Sequence, residues 1–223
     1  MKKMMILFVA LVAAWCVSCS KDDDGGKTPG DPAEEAGLIM KSEEQVIRLD
    51  LFSEISKITI DWGDGTVKEY EGEYQEASNA YRFNVRYEYA QAALHTIKIN
   101  ECTGLLYLEC RSNLLTSLNV SGCTDLLYLY CNYNQLTSLD VSDCPALTTL
   151  ACFSNQLSLL DVTGCPALTE LDCSENQFSA SALNQIYTDL PTIDGRIMAN
   201  SNPGYPESDK SIATGKGWVF SEE

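Results

Sequence analysis

Apolar residues recur along the middle of the chain with a period of 21 residues. Leu105, Leu126, Leu147 and Leu168 each open a unit of the form L-x-x-L-x-C-x-x-N-x-L. The fourth, sixth and ninth places of every unit hold leucine, cysteine and asparagine. A fixed period this short predicts a stack of similar coils, each of which buries its apolar face against the next. Such stacks present a surface to a partner more often than they enclose an active-site pocket.

The first half of each unit has the alternation of a strand. Leu108 and Cys110 point to one face of an extended segment, while Tyr107 and Glu109 point to the other. We therefore expect one face to be core and the other to be open. The second half, such as Leu115–Val120, carries three more apolar residues with threonine and valine, which favours an extended back wall over a helix.

The asparagine column is predicted to be architectural. Each asparagine follows the strand at the point where the chain turns out of the sheet. Its amide can bond backbone groups that the turn leaves unpaired in neighbouring coils.

The segment before the repeats reads as a small antiparallel β domain, residues 37–93. Apolar and polar residues alternate there, and glycine and asparagine interrupt the alternation. We expect this domain to cap the first coil, whose apolar side would otherwise be exposed. The predicted strands, the last of which lies at the boundary with the repeats, cover residues 44–51, 58–60, 66–70, 81–87 and 96–99.

A tight turn is predicted within this domain at Asp61-Trp62-Gly63-Asp64-Gly65-Thr66. An Asp-Gly pair between apolar runs is a strong hairpin signal. Asp61 and Asp64 also have the chemistry of calcium ligands, since hard cations prefer carboxylate and carbonyl oxygens. No spaced oxygen-ligand loop follows, so a hairpin stabilised by acidic side chains is the simpler interpretation, and the calcium question stays open.

The C-terminal residues 179–223 are predicted to cap the last coil. Apolar residues from Ser179 to Pro191 have helical spacing, with serine at the N-cap and proline just beyond. Further strands are expected around Ile197 and Trp218.

The N-terminus has the pattern of a secretory signal, residues 1–18. Lys2 and Lys3 precede an apolar run that is too short to span a bilayer. The following Val17-Ser18-Cys19 resembles a lipobox, which implies cleavage before Cys19 and lipidation of that residue. An ordinary secretory signal is the alternative.

Residues 19–36 are polar and rich in glycine, proline and acid, which predicts a flexible tether. Ser20-Lys-Asp-Asp-Asp24 resembles the export tag of Bacteroidota lipoproteins that reach the outer face of the outer membrane. This resemblance implies a lipid-anchored protein exposed on the cell surface. A solvated acidic linker is the alternative.

The formal net charge of −17 excludes nucleic acid as a partner. Such a surface repels nucleic acid and anionic lipid, and no basic cluster is evident in the sequence to reverse that. Contact with a membrane is expected through the lipid anchor alone.

Eight of the ten cysteines form two columns with the repeat period. We expect stacked, buried, reduced thiols that act as small apolar side chains, although an exported protein also permits disulfides. Zinc is not expected, because there is no C-x-x-C pair and His95 is the only histidine. The columns are Cys110, Cys131, Cys152, Cys173 and Cys102, Cys123, Cys144, Cys165.

No catalytic constellation is visible. His95 lies at the repeat boundary, no G-x-S-x-G motif accompanies it, and no carboxylate pair is singled out. We therefore predict a non-enzyme with no cofactor and no metal.

The candidate binding residues are those that alternate with the core leucine and cysteine of each strand. Exposed tyrosine and arginine are typical of interaction patches, although neighbouring rings also stabilise a sheet by stacking, and both interpretations stay open. Thr149 and Ala151 are also expected on this face. The candidates for partner binding are Tyr107, Glu109, Arg111, Tyr128, Tyr130, Tyr133, Phe153, Glu170 and Asp172.

The repeat pattern over residues 94–178 resembles the short bacterial leucine-rich repeat, and its cysteine ladder resembles that of the internalin group of cell-surface adhesion proteins. W-G-D-G-T resembles the PKD-type immunoglobulin-like domain. The tail from Asn202 to Trp218 resembles that of Bacteroidota surface repeat proteins. These resemblances imply a mainly β fold, with a PKD-like β-sandwich followed by a leucine-rich repeat solenoid and a short capping helix.

The function implied is that of an adhesin-like protein that binds an extracellular protein through the exposed sheet. The alternatives are a glycan-binding accessory lipoprotein, in which the same rings stack on sugars, and a structural spacer.

Overall fold

The computed structural model describes residues 37–100 and 102–221. These residues belong to one compact unit, Glu35–Glu223. The predicted signal, the lipidation site Cys19 and the tether lie outside the described residues. None of the described helices combines the length and the apolar character that crossing a bilayer requires.

The described chain is mainly β, as predicted, with two short helices. The helices are α1 (Ala180–Asp189) and α2 (Ser211–Thr214). The strands are β1 (Leu38–Ser42), β2 (Val46–Ser53), β3 (Lys57–Asp61), β4 (Val67–Glu71), β5 (Glu73–Gln75), β6 (Ala80–Glu88), β7 (His95–Ile99), β8 (Leu105–Glu109), β9 (Leu115–Asn119), β10 (Tyr128–Tyr130), β11 (Thr149–Ala151), β12 (Glu170–Asp172), β13 (Gly195–Met198) and β14 (Trp218–Phe220).

The strands form two sheets. The larger has nine strands in the order β14-β13-β12-β11-β10-β8-β2-β6-β5, and the smaller has five in the order β4-β3-β7-β1-β9. Strands β8, β10, β11, β12, β13 and β14 of the larger sheet are parallel to one another. The four repeat units contribute the first four of these strands, and the C-terminal residues contribute the last two. The register places Leu129 beside Leu108 and Leu150, so the leucine column predicted from the sequence is a row across the sheet.

The N-terminal segment pairs with the first repeat unit at two places. Strand β2 is antiparallel to β8, and strand β1 is antiparallel to β9. The expected cap on the first unit is therefore present. Strands β1 and β5 were not predicted from the sequence, while the other predicted strands of this segment agree with β2, β3, β4, β6 and β7 within a few residues.

Two columns of cysteine lie in the core. All eight are buried and free, as the repeat spacing predicted. Burial raises the pKa of Cys131 to about 12, because the thiolate would lose its hydration in an apolar column. Burial likewise raises the pKa of Cys144 to about 12 and that of Cys165 to about 11.

The asparagine column bonds the backbone of neighbouring units, as predicted. The Asn134 side-chain oxygen accepts hydrogen bonds from the backbone N–H groups of Asn113 and Leu115, both at 3.0 Å. Its amide nitrogen donates to the carbonyls of Cys110 and Cys131 at 3.1 and 2.9 Å. Each buried asparagine thus ties one turn to the next.

The residue before each ladder asparagine has a left-handed backbone. The φ angles of Ser112, Tyr133, Ser154 and Glu175 lie between 50° and 56°, and Ser201 has φ 58°. Side chains with a Cβ rarely adopt this region, so the recurrence is imposed by the shared turn.

The back wall is extended in the first unit, where β9 lies, and contains no helix in the described units. In the next unit a single parallel bridge joins Asn119 to Asp140. The sequence predicted extended structure along the whole wall. The later units bury their leucines and valines without a continuous backbone ladder.

The C-terminal residues continue the sheet. Ser179 caps α1 as predicted, since its side chain accepts the N–H of Ala182 at 3.2 Å. Strands β13 and β14 extend the parallel sheet around Ile197 and Trp218. Asn202 occupies a fifth place in the asparagine ladder, which the sequence did not reveal.

Candidate functional site

The candidate site is the side of the nine-stranded sheet that faces away from the core, here called the open face. Its residues form two rows because the parallel strands are in register. One row contains Tyr107, Tyr128, Thr149 and Glu170. The second row contains Glu109, Tyr130, Ala151 and Asp172.

A central aromatic cluster lies on strands β10, β8 and β2 of the open face and consists of Phe52, Tyr107, Tyr128 and Tyr130. The ring centroid of Tyr107 is 6.3 Å from that of Tyr128 and 5.4 Å from that of Tyr130. Phe52 meets Tyr107 edge-on at 5.3 Å. The Tyr128 side chain keeps 41% of its surface exposed, so the cluster presents a ring to solvent.

Tyr133 and Phe153 form a second aromatic pair at the end of the strands. Their rings meet edge-on with centroids 4.9 Å apart. Tyr133 is 54% exposed and has a left-handed backbone with φ 56°. Ser112, Ser154 and Glu175 share this backbone at the equivalent places. A bulky aromatic side chain is uncommon in this region, which makes Tyr133 an unusual choice for a purely structural position.

Two residues expected on the open face are covered. Thr149 and Ala151 are 8% and 7% exposed. Their side chains are small, and in the register they lie between larger ones, Tyr128 and Tyr130 on one side and Glu170 and Asp172 on the other. The prediction of exposure was wrong at these two positions. On this face β10 carries aromatic side chains and β12 carries acidic ones, and the two covered residues of β11 lie between them.

Three of the charged candidates, Glu109, Arg111 and Asp172, are held by hydrogen bonds or an ion pair. Glu109 accepts the Tyr107 hydroxyl at 2.7 Å and forms an ion pair with Arg111 at 2.5 Å. Burial and this contact raise the pKa of Tyr107 well above its usual range, so the hydroxyl stays a donor. Asp172 accepts from the Ser174 backbone and hydroxyl at 3.1 and 2.6 Å.

The open face continues onto strands β2 and β6, which sequence reasoning did not include. The Arg82 guanidinium donates two hydrogen bonds to the Asp50 carboxylate, at 3.0 and 2.5 Å. Phe52 and Arg48 lie on the same side of β2, since both are separated from Asp50 by an even number of residues. The alternation of β2 contained this signal, but using it required the β2–β8 pairing.

The turn with calcium-like chemistry uses its carboxylates locally. Asp61 accepts the Gly63 N–H at 2.9 Å, and Asp64 accepts the Thr66 N–H at 2.9 Å and the Tyr87 hydroxyl at 2.7 Å. Donation from Tyr87 lowers the pKa of the Asp64 carboxyl. These contacts fit the hairpin interpretation.

The single histidine is packed in the smaller sheet. The His95 ring stacks on Tyr89 with centroids 3.7 Å apart. Across residues 37–100 and 102–221, no group of three histidine, cysteine, aspartate or glutamate side chains has an arrangement that could hold a metal ion.

A search of protein-family models found no match, and neither did a search of curated proteins. Among solved structures, the chain is similar to the functional domain of InlJ from Listeria monocytogenes, which is described as including a cysteine ladder. The identity is 26%, the TM-score is 0.36, and the match covers 55% of this chain and 36% of that one. The chain thus spans about a third of the length of this neighbour.

Proposed function

We propose that this protein is a non-enzymatic, adhesin-like interaction protein that binds an extracellular protein through the open face. The observation that carries the proposal is the exposure of Tyr128 and Tyr133, at 41% and 54%, on a face that also presents charged side chains. Exposed aromatic rings beside arginine and acid are typical of binding hot spots.

The rigidity of the face supports this role. The rings are mounted on paired strands whose turns are tied together by buried asparagines. A rigid surface loses little conformational entropy when a partner binds, so its exposed rings can contribute most of their contact energy to affinity.

We further propose that the units are leucine-rich repeats of the cysteine-ladder type that build a solenoid, and that the segment before them is a PKD-like domain. Support comes from the 21-residue sequence period and the matching parallel register. For the PKD-like domain, support comes from the W-G-D-G-T turn and its two flanking strands, β3 and β4.

We propose a lipid-anchored location on the outer membrane, with Cys19 as the modified residue. The support is the order of charged, apolar and small residues before Cys19 and the acidic run after it.

The test is a parallel screen of residues 36–223 against an extracellular protein array and a glycan array. Every hit is measured again with a Tyr128→Ala/Tyr130→Ala double variant, which leaves the leucine and cysteine core unchanged. A protein ligand should lose affinity by about tenfold to several hundredfold, since each buried ring contributes about 1–2 kcal/mol. A Tyr74→Ala variant is the matched control, because Tyr74 is 52% exposed on the distant edge strand β5.

Two results would contradict the proposal. One is a protein ligand that binds the folded double variant and the control variant equally well. The other is a set of hits confined to glycans, which would favour the glycan-binding alternative.

A further inference from the structure

We propose that a cleft at the junction of β6, β2 and the end of β8 binds a carboxylate side chain of the protein partner. This inference rests on the proposed function and adds the chemistry that the partner must present. The central residue is Arg48, and Arg86 and Arg111 flank it. All three arginines line the cleft, whose volume is about 380 Å³.

The register brings like charges together. Arg48 on β2 is directly opposite Arg86 on β6, and both side chains are exposed. Like charges directly opposite each other on neighbouring strands destabilise a sheet. An anion bound between them removes this repulsion, so the arrangement favours a negatively charged ligand.

The acidic residues of the cleft are already engaged. Asp50 is gripped by Arg82, which makes two hydrogen bonds to it. Glu109 accepts the Tyr107 hydroxyl and pairs with Arg111. Asp50 and Glu109 therefore compete little with a ligand for the Arg48 guanidinium.

Arg48 is the available cation of the cleft. Arg86 pairs with Glu88 at 2.9 Å, and both side chains are more than half exposed. Among the described residues, the Arg48 guanidinium makes no ion pair within 4.0 Å. Its backbone is fixed nonetheless, because Asn113 accepts the Arg48 N–H at 2.9 Å and donates to its carbonyl at 2.8 Å. The Arg48 guanidinium is therefore available to an anionic ligand, and its backbone keeps it at a defined place in the cleft.

The distribution of arginine indicates a local anion rather than a polyanion. The chain has five arginines and a formal charge of −17. Four of the five, Arg48, Arg82, Arg86 and Arg111, lie at this junction. A single carboxylate can enter such a small basic site, whereas an extended polyanion meets the acidic remainder of the surface.

A protein carboxylate also fits the neighbourhood. Guanidinium groups bind carboxylates in a planar, bidentate geometry with two parallel hydrogen bonds. Phe52 and Tyr107 of the central aromatic cluster lie on the same two strands as Arg48 and Glu109. A partner that places apolar side chains on the rings can therefore place an aspartate or glutamate in the cleft.

The test uses N-acetyl-aspartyl-N-methylamide as the probe and its asparaginyl counterpart as the uncharged control. Binding to residues 36–223 is followed through the arginine Nε–Hε signals in NMR titrations at constant ionic strength. We expect saturable shifts at Arg48, Arg86 and Arg111 with the aspartyl probe alone. Arg48→Gln should weaken binding by about tenfold or more, because a charge-assisted hydrogen bond is lost. Arg196→Gln, on β13 at the other end of the same sheet, should leave it unchanged.

Three results would overturn the inference. They are equal shifts with both probes, unchanged binding by Arg48→Gln, and a clear preference for methyl β-D-glucuronide, which would make a glycan the source of the carboxylate. The outcome is separable from the proposed function. A protein ligand that is lost with Tyr128→Ala/Tyr130→Ala but retained by Arg48→Gln leaves the open face as the binding surface and removes only the carboxylate site.

Discussion

The side-chain oxygen of Asn202 accepts the backbone N–H of Asn176 at 3.2 Å, although these residues are separated by 26 positions rather than 21. Asn202 also donates to the carbonyls of Cys173 and Ala199 at 3.0 and 2.9 Å, as Asn134 does to Cys110 and Cys131. The ladder therefore extends one unit beyond the visible repeat, and Ala199 takes the place of the ladder cysteine.

Asn202→Ala should destabilise the protein as much as Asn134→Ala, by about 2–4 kcal/mol, because each change leaves buried backbone groups without a partner. Asn84→Ala, at an exposed position on β6, should change the free energy of unfolding by less than about 0.5 kcal/mol. Urea unfolding of the three variants measures this. A cost for Asn202→Ala as small as that of Asn84→Ala would show that the fifth place is not part of the ladder.

Glycine and valine should have opposite orders of stability at two tyrosines of the open face, because Tyr133 has a left-handed backbone and Tyr128 lies in a strand. Tyr133→Gly should be more stable than Tyr133→Val by about 1–2 kcal/mol, since glycine adopts positive φ without strain. At Tyr128, within β10, Val should be more stable than Gly by about 1 kcal/mol. Thermal unfolding of the four variants tests the reversal, and the same preference at both positions would contradict it.

Native protein should resist alkylation at its eight described cysteines, all of which are buried and free. After unfolding, all eight should react. Cys131→Ser should cost about 1–3 kcal/mol, because a hydroxyl would be buried in an apolar column, and Cys131→Ala is the control without a polar atom. Mass spectrometry measures the labelling. Stable cysteine cross-links in the native protein would refute the reduced ladder.

The thiols also predict how stability changes with pH. Burial raises the pKa of Cys131 and Cys144 to about 12, while unfolded thiols have a pKa of about 8.5. Stability is therefore full below about pH 8.5 and falls as pH rises toward the folded pKa, because only the unfolded chain releases the protons. Each such thiol contributes a slope of about 1.4 kcal/mol per pH unit. Cys131→Ala should remove one such contribution between about pH 9 and pH 11 in urea titrations under reducing conditions. An identical slope in the parent protein would contradict this prediction.

Anchoring is tested outside the described residues. Cys19→Ala should release the protein from membranes into the soluble fraction, because the lipid would have no attachment site. Replacing Asp22, Asp23 and Asp24 by alanine should protect the protein from external protease without detaching it. Cys16→Ala is the control and should not release it. Retention of the Cys19→Ala protein in the membrane would end the lipoprotein proposal.

The sequence predicted the repeating features of the sheet side of each unit. A strict period of leucine, cysteine and asparagine marks positions with the same surroundings, so the strand faces, the buried thiols and the asparagine bonds followed from it. The C-terminal helix was also predicted, since Ser179 carries a local capping signal.

Non-local features were not predicted. Strand β1 has the composition of many strands, and nothing near Leu38 indicates that it pairs with residues near Ile99 and Asn119. Asn202 was missed because α1 lengthens its unit and shifts the spacing. The cleft around Arg48 was missed for the same reason, because its arginines come from three segments that only the β2–β6 and β2–β8 pairings bring together.

The position of β1 between β7 and β9 has a consequence for the order in which the protein forms during synthesis. Ser42 pairs with His95 on one side and Leu115 on the other, and its hydroxyl donates to the Asn113 carbonyl. During synthesis β1 leaves the ribosome long before its neighbours β7 and β9 have been made. Strand β1 must therefore wait for the first repeat unit, and the described strands before β8 and the first repeat unit complete one another rather than folding in succession.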